Sequence, residues 1–226
     1  MTGHRHNDPA ARRVIFWRHG RTAWNHGGMF QGQEDIPLDA TGRRQASRAA
    51  GLLAQRHPAR IVSSDLSRAA DTAHALAAIT GLKVRLDKRF RETAAGAWQG
   101  LTFAEIDERF PEDNAAWRGG DPLVRAGGAE NREEVGRRMS EATLEAVEDL
   151  AAGQTLVVVS HGGAIRAGLA ALMGLPSTTW GALAGVSNCH WSLLDEQVRT
   201  PEALYSWQLR EHNVGLGSFP AEPIEG

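Results

Sequence analysis

Two apolar runs in this chain each end in a histidine. Val14-Ile15-Phe16-Trp17 leads into Arg18-His19-Gly20, and Leu156-Val157-Val158-Val159 leads into Ser160-His161-Gly162-Gly163. Short apolar runs bounded by glycine read as buried strands, and in an open α/β sheet ligands bind in the crevice beyond the carboxyl ends of the strands. Two imidazoles delivered there can face one bound group. Either histidine alone would serve equally well to satisfy local hydrogen bonds, but arginines accompany the pair. Arg18 and Arg21 flank His19, and Arg68 follows in Ser67-Arg68-Ala69-Ala70-Asp71. Guanidinium groups are planar forks that match the oxygens of a tetrahedral phosphate, so the constellation points to phosphate chemistry.

The elements that must position these side chains alternate in type. Asp39-Ala40-Thr41-Gly42 opens a helix running to about Arg56, with Ala46, Ala49, Leu52 and Leu53 on one stripe. Ile61-Val62-Ser63 is a short buried strand, after which Asp65 or Ser64 is expected to cap a helix that Gly81 stops. Arg68 lies in its first turn, where unpaired backbone N–H groups favour an anion. Lys83 to Leu86 reads as a strand and Thr102 to Ile106 as the start of a helix. Residues 110–128 are punctuated by Gly and Pro without long periodicity, so a small lid is expected within about residues 93–130. Val135, Met139, Ala142, Ala146 and Leu150 mark a long amphipathic helix, and a helix from Gly163 to Met173 points its N-terminus at the site. Two last strands are expected at His190 to Leu194 and Leu204 to Gln208, joined by a turn through Pro201. This alternation argues for a three-layer α/β/α sandwich in one domain spanning residues 1–226, with loosely held termini at about 1–12 and 215–226.

Composition narrows the function class. A chain of 226 residues can bury a full core without staples, and Cys189, its one cysteine, can form no internal disulfide. A net charge of −2 offers no basic field for nucleic acid, although arginine far outnumbers the two lysines, Lys83 and Lys88. The polar, basic residues 1–13 do not read as a signal peptide, and no segment is apolar enough to span a bilayer. A cytoplasmic protein is the expectation.

The motifs resemble those of the histidine phosphatase, or phosphoglycerate mutase-like, superfamily. The resemblance rests on Arg18-His19-Gly20-Arg21-Thr22-Ala23-Trp24-Asn25, Arg68, Arg91-Glu92 with Gly96-Ala97-Trp98-Gln99-Gly100, and Ser160-His161-Gly162-Gly163, in the family's order over most of the chain. It implies a six-stranded, mostly parallel sheet with one antiparallel strand. It also implies that His19 takes the phosphoryl group onto a ring nitrogen while its other nitrogen is held by an acceptor, expected to be a backbone carbonyl. Arg18, Arg68 and His161 would then form the phosphate pocket, with Arg21, Thr22, Asn25, Gln31 and the Gly162 N–H beside it, and Glu92 would be the general acid. The family's Gly-Glu-Ser is replaced here by Gly128-Ala129-Glu130-Asn131, so Glu130 carries over only weakly. No metal and no cofactor are implied.

The chain lacks the longer, proline-rich insertion of the cofactor-dependent mutases, which favours a phosphatase. Met29 to Asp35, Ile61 to Leu66, Gly96 to Gly100, and Leu183 to Asn188 with Trp191 look like bacterial glucosyl-3-phosphoglycerate phosphatases. The expectation is a metal-independent phosphomonoesterase using a phosphohistidine. Its partner would be a small phosphorylated metabolite, with neither nucleic acid nor membrane involved, and a homodimer stays open. The alternatives are a mutase and a non-catalytic phosphate-binding module; the latter predicts loss of one of His19, Arg68, Glu92 or His161, all of which are present.

Overall fold

The computed structural model describes residues 11–197 and 206–215. Its centre is a six-stranded sheet in the order β3-β2-β4-β1-β5-β6, formed by β1 (Arg13–Arg18), β2 (Arg60–Ser63), β3 (Val84–Leu86), β4 (Thr155–Ser160), β5 (Trp191–Glu196) and β6 (Trp207–Val214). All neighbours are parallel except that β5 runs against both β1 and β6, as the resemblance implied.

Between their end residues the strands β1 and β4 are apolar because both faces of the sheet are covered. Val14, Phe16, Leu156 and Val158 pack on the side of α6 (Arg132–Glu148) and α7 (Gly162–Leu172). Ile15, Trp17, Val157 and Val159 pack on the opposite side, against α2 (Ala40–Ala54) and α3 (Ser67–Thr80). The layers are therefore helix, sheet, helix.

Helix starts follow their sequence signals in most places. Asp39 caps α2 by accepting from Gly42 N, and Thr102 and Asn131 close capping boxes on α4 (Phe103–Arg109) and α6. The cap expected from Asp65 or Ser64 does not form: the cap residue of α3 is Leu66, with no side-chain bond. Asp65 is instead held by Arg91 through two 2.6 Å bonds, and Asp35 from the preceding loop accepts from Ser67 N at 2.7 Å. A bidentate guanidinium pair outweighs one cap bond.

Two further expectations are corrected, and the segment read as a lid proves to contain a helix. Residues 110–128 contain a helix, α5 (Pro111–Arg118), with Pro at its first turn and Glu112 and Asp113 beside it. At eight residues it is too short to show a periodicity. Together with Phe30, Trp98 and Trp117, whose indoles meet edge-on at 5.8 Å, this segment builds a small core of its own. Ala11 and Arg12, expected in a loose head, are fixed: Ala11 is buried, and Arg12 donates two hydrogen bonds to the Glu196 carboxylate, each 2.6 Å. The last strand begins at Trp207 and runs through polar residues to Val214, because pairing with β5 rather than an apolar face maintains it. Leu204, Tyr205 and the turn through Pro201 lie outside the described residues, as do residues 1–10 and 216–226.

Candidate active site

Register brings the two histidines together. Arg18 pairs with Ser160 across the parallel β1–β4 ladder, and His19 N donates to Ser160 O at 3.0 Å. His19 and His161 therefore leave adjacent strands at the same level, with ring centroids 5.0 Å apart and both rings buried. The next residues are tightly packed. A Cβ on Gly20 would lie 2.4 Å from Gly42 O, so only glycine lets the chain turn against the start of α2.

His19 Nδ1 lies 2.7 Å from Gly20 O. A carbonyl only accepts, so this nitrogen carries the proton and Nε2 keeps its lone pair. The orienting acceptor is thus the carbonyl of the following glycine. His161 has the opposite arrangement: Arg68 Nε donates to its Nδ1 at 3.2 Å, so the proton sits on Nε2, 2.9 Å from Ser64 Oγ. Both nitrogens of His161 are engaged inside the protein, where it holds Arg68 in place.

Arg68 is fully buried, and carbonyls of the incoming loop also fix its fork, Glu34 O at 2.6 Å and Gly32 O at 2.8 Å. Arg18 donates to Val186 O at 2.8 Å. Glu92 accepts from three backbone N–H groups: Thr93 and Ala164 at 2.8 Å on Oε1 and Gly163 at 3.0 Å on Oε2. The N-terminus of α7, expected to face a ligand, thus holds this carboxylate through its unpaired amides.

His19, Arg18, Arg68, Glu92, Gln31 and Gly162 line one cleft of about 670 Å³, open to solvent. Other expected residues serve locally. Arg21 pairs with Asp39 at 2.7 Å, while Thr22 and Asn25 close a capping box on α1 (Ala23–His26), and Thr22 also donates to Gln31 at 2.9 Å. His161 is not among the cleft-lining residues, and its two nitrogens meet Arg68 and Ser64. Glu130 does not line the cleft: Arg138 and Ala94 N occupy its oxygens, and the same Arg138 donates to Glu92 O at 2.9 Å. Glu130 stands one residue before the Asn131 cap, where Arg138 ties it to the Glu92 backbone.

Residues that sequence reading did not single out also line the cleft: Phe30, Thr93, Phe103, Trp117 and Arg166. The only available signal was Arg166, one helical turn past Gly163 and so on the same face of α7. Trp98 is fully buried in packing, whereas Trp117 also forms a cleft wall.

Burial drives the pKa of both His19 and His161 well below the ordinary imidazole range, and Arg68 adds to it. Both rings are therefore neutral in the folded protein, whereas in the unfolded chain they take up protons below about pH 6.5. Stability is expected to be insensitive to these groups above that pH and to fall as the pH drops from about 6.5 to 5.5, each ring contributing up to about 1.4 kcal/mol per pH unit. Urea unfolding across this range measures the slope, and His161→Gln should make it shallower. An unchanged slope in that variant would mean that His161 is not buried in its neutral form.

A family model described as histidine phosphatase superfamily, branch 1, matches residues 14–207. A glucosyl-3-phosphoglycerate phosphatase of Mycobacterium tuberculosis is 46% identical over 191 residues, 81% of this chain and 85% of that protein. A Yersinia enterocolitica protein named a probable phosphoglycerate mutase is 38% identical over 188 residues, again 81% and 85% of the two chains. The structure of a mycobacterial glucosyl-3-phosphoglycerate phosphatase in complex with VO3 superposes with a TM-score of 0.84 at 42% identity, over 91% of this chain and 100% of that one. The matched span holds both histidine-bearing strand ends, Arg68 and Glu92, and the chain belongs to the histidine phosphatase superfamily.

Proposed function

We propose that this protein is a phosphoric monoester hydrolase working through a phosphohistidine at His19, and that its substrate is glucosyl-3-phosphoglycerate. The observation that carries the mechanism is the fixed tautomer of His19 in a cleft lined by Arg18 and Arg68. Nε2 attacks phosphorus with its lone pair, the bond from phosphorus to the ester oxygen breaks, and Glu92 gives that oxygen its proton. Water then attacks the phosphohistidine, losing a proton to Glu92 as the P–N bond breaks. Gly20 O holds Nδ1–H throughout and so stabilises the positive charge that the ring gains on attack. Charge spread over the equatorial oxygens is met by the fixed guanidiniums of Arg18 and Arg68.

Resemblance to enzymes of that name supports the choice of substrate. Residues 93–130 are proposed to act as the lid that selects it. A panel of phosphomonoesters assayed for phosphate release in the presence of chelator tests the reading. Glucosyl-3-phosphoglycerate should be turned over with the highest kcat/KM. Phosphoryl transfer between phosphoglycerates without release to water would overturn it in favour of a mutase.

A further inference from the structure

Beside the phosphate cleft lies a smaller recess, about 280 Å³ when the space open to solvent at its mouth is counted, lined by Thr93, Trp117, Arg132, Val135, Gly163, Arg166, Ala167 and Trp180. Thr93, Trp117, Gly163 and Arg166 line both spaces, so the recess is a side chamber of the cleft. Two guanidiniums meet there without a carboxylate partner. Arg132 is only 8% exposed, has its guanidinium carbon 3.8 Å from the centre of the Trp117 ring, and makes one side-chain hydrogen bond, to the backbone carbonyl of Asp121 at 3.3 Å. Arg166, half-buried on α7, makes no hydrogen bond or ion pair among the described residues.

The arginines elsewhere around the sheet are handled differently: Arg12, Arg21, Arg91 and Arg138 each face a carboxylate at 2.6 to 2.9 Å. In the recess, burial lowers both cations, with Arg132 pushed down to about 10 and Arg166 contributing to that shift by like-charge repulsion. The acidic groups near them are Asp121 for Arg132 and Glu92 for Arg166, and the Glu92 oxygens are already engaged by backbone amides. Trp117 also buries an indole N–H with no acceptor. Buried donors are normally satisfied, and holding two cations together in an aromatic recess is unfavourable unless an anion joins them.

We propose that the Arg132–Arg166 recess is the carboxylate subsite of this enzyme, so that its substrates are phosphomonoesters bearing a carboxylate a few bonds from the ester oxygen. The proposal rests on the phosphatase reading above for the position of the phosphate, and it assigns the second anchor. Two forks suit a planar carboxylate, and the narrow chamber with its Trp117 and Trp180 walls favours that group over a bulkier second phosphate. Thr93 and Gly163 connect the two anchors, so the glycerate carbons would pass over them.

Direct binding separates this proposal from catalysis. Calorimetric titration of the full chain with 3-phosphoglycerate and with glycerol 3-phosphate should show the carboxylate-bearing ligand binding about tenfold or more tightly, the worth of a charge-assisted pair. Arg166→Gln and Arg132→Gln should each collapse that ratio towards one, and Arg166→Lys should keep part of it. The kcat/KM ratio for the same two compounds should follow. Thermal unfolding identifies a variant that fails to fold, in which case the other variant decides. Equal affinity of the wild-type protein for the two ligands would overturn the subsite, as would tighter binding of 2,3-bisphosphoglycerate through the same arginines, which would make it a phosphate site. A binding contrast without any phosphate release would leave the subsite standing and remove the phosphatase reading.

Discussion

Substituting His19 by alanine is expected to lower phosphate release by about 10⁴-fold or more, because a nucleophile lost from a covalent mechanism leaves only positioning and charge stabilisation behind. The loss should fall on kcat, since Arg18 and Arg68 still bind the phosphate group. His19 is well placed for attack: its Nδ1 is tied to Gly20 O, and burial with Arg68 and Arg18 keeps the ring neutral. An acid-labile phosphoenzyme, trapped by rapid quench from a labelled substrate, should disappear completely in this variant. The rival is His161, 5.0 Å away across the strand ends. It should show a smaller loss, and His161→Ala should still form the phosphoenzyme, because its nitrogens hold Arg68 and Ser64. A phosphoenzyme that survives in His19→Ala but vanishes in His161→Ala would exchange the two roles.

Much of this site was legible before any coordinates because the chemistry sits at strand ends. Short apolar runs such as Val14–Trp17 and Leu156–Val159, bounded by glycine, read as buried strands, and the residue after such a strand is delivered to the crevice. The fold as a whole followed from the same alternation of strands and capped helices. What escaped was decided by pairing across long stretches of chain. Nothing local to Asp65 announces that Arg91 takes it away from the α3 cap, and nothing local to Glu130 shows that Arg138 draws it to the Glu92 backbone. Short elements held by tertiary contacts escaped for a related reason: α5 owes its order to Trp117 packing against Trp98 and Phe30, which no eight-residue pattern displays. The Arg132–Arg166 recess lies in the same blind spot, since α6 and α7 bring together two arginines that are far apart in sequence.

Glu92→Gln should discriminate between leaving groups. The amide keeps the shape and, with its oxygen at the Oε1 position, still accepts from the Thr93 and Ala164 amides while its NH2 faces the Gly163 N–H, but it has no acidic proton to give to an ester oxygen. An alkoxide leaving near neutral pH needs that proton, whereas a nitrophenolate departs readily without it. General acid catalysis is worth about 10² to 10⁴ in rate, so phosphoenzyme formation from a phosphoglycerate should fall within that range. Formation from p-nitrophenyl phosphate should fall far less. The second step also needs a base for water, so with the aryl substrate the variant should accumulate phospho-His19 that turns over slowly. Single-turnover quench experiments measure formation and breakdown separately. Equal losses in formation for the two substrate classes would remove Glu92 from the acid role. Because Glu130 is closed off by Arg138 and Ala94 N, the proton would then have to come from solvent or from the substrate's own phosphate.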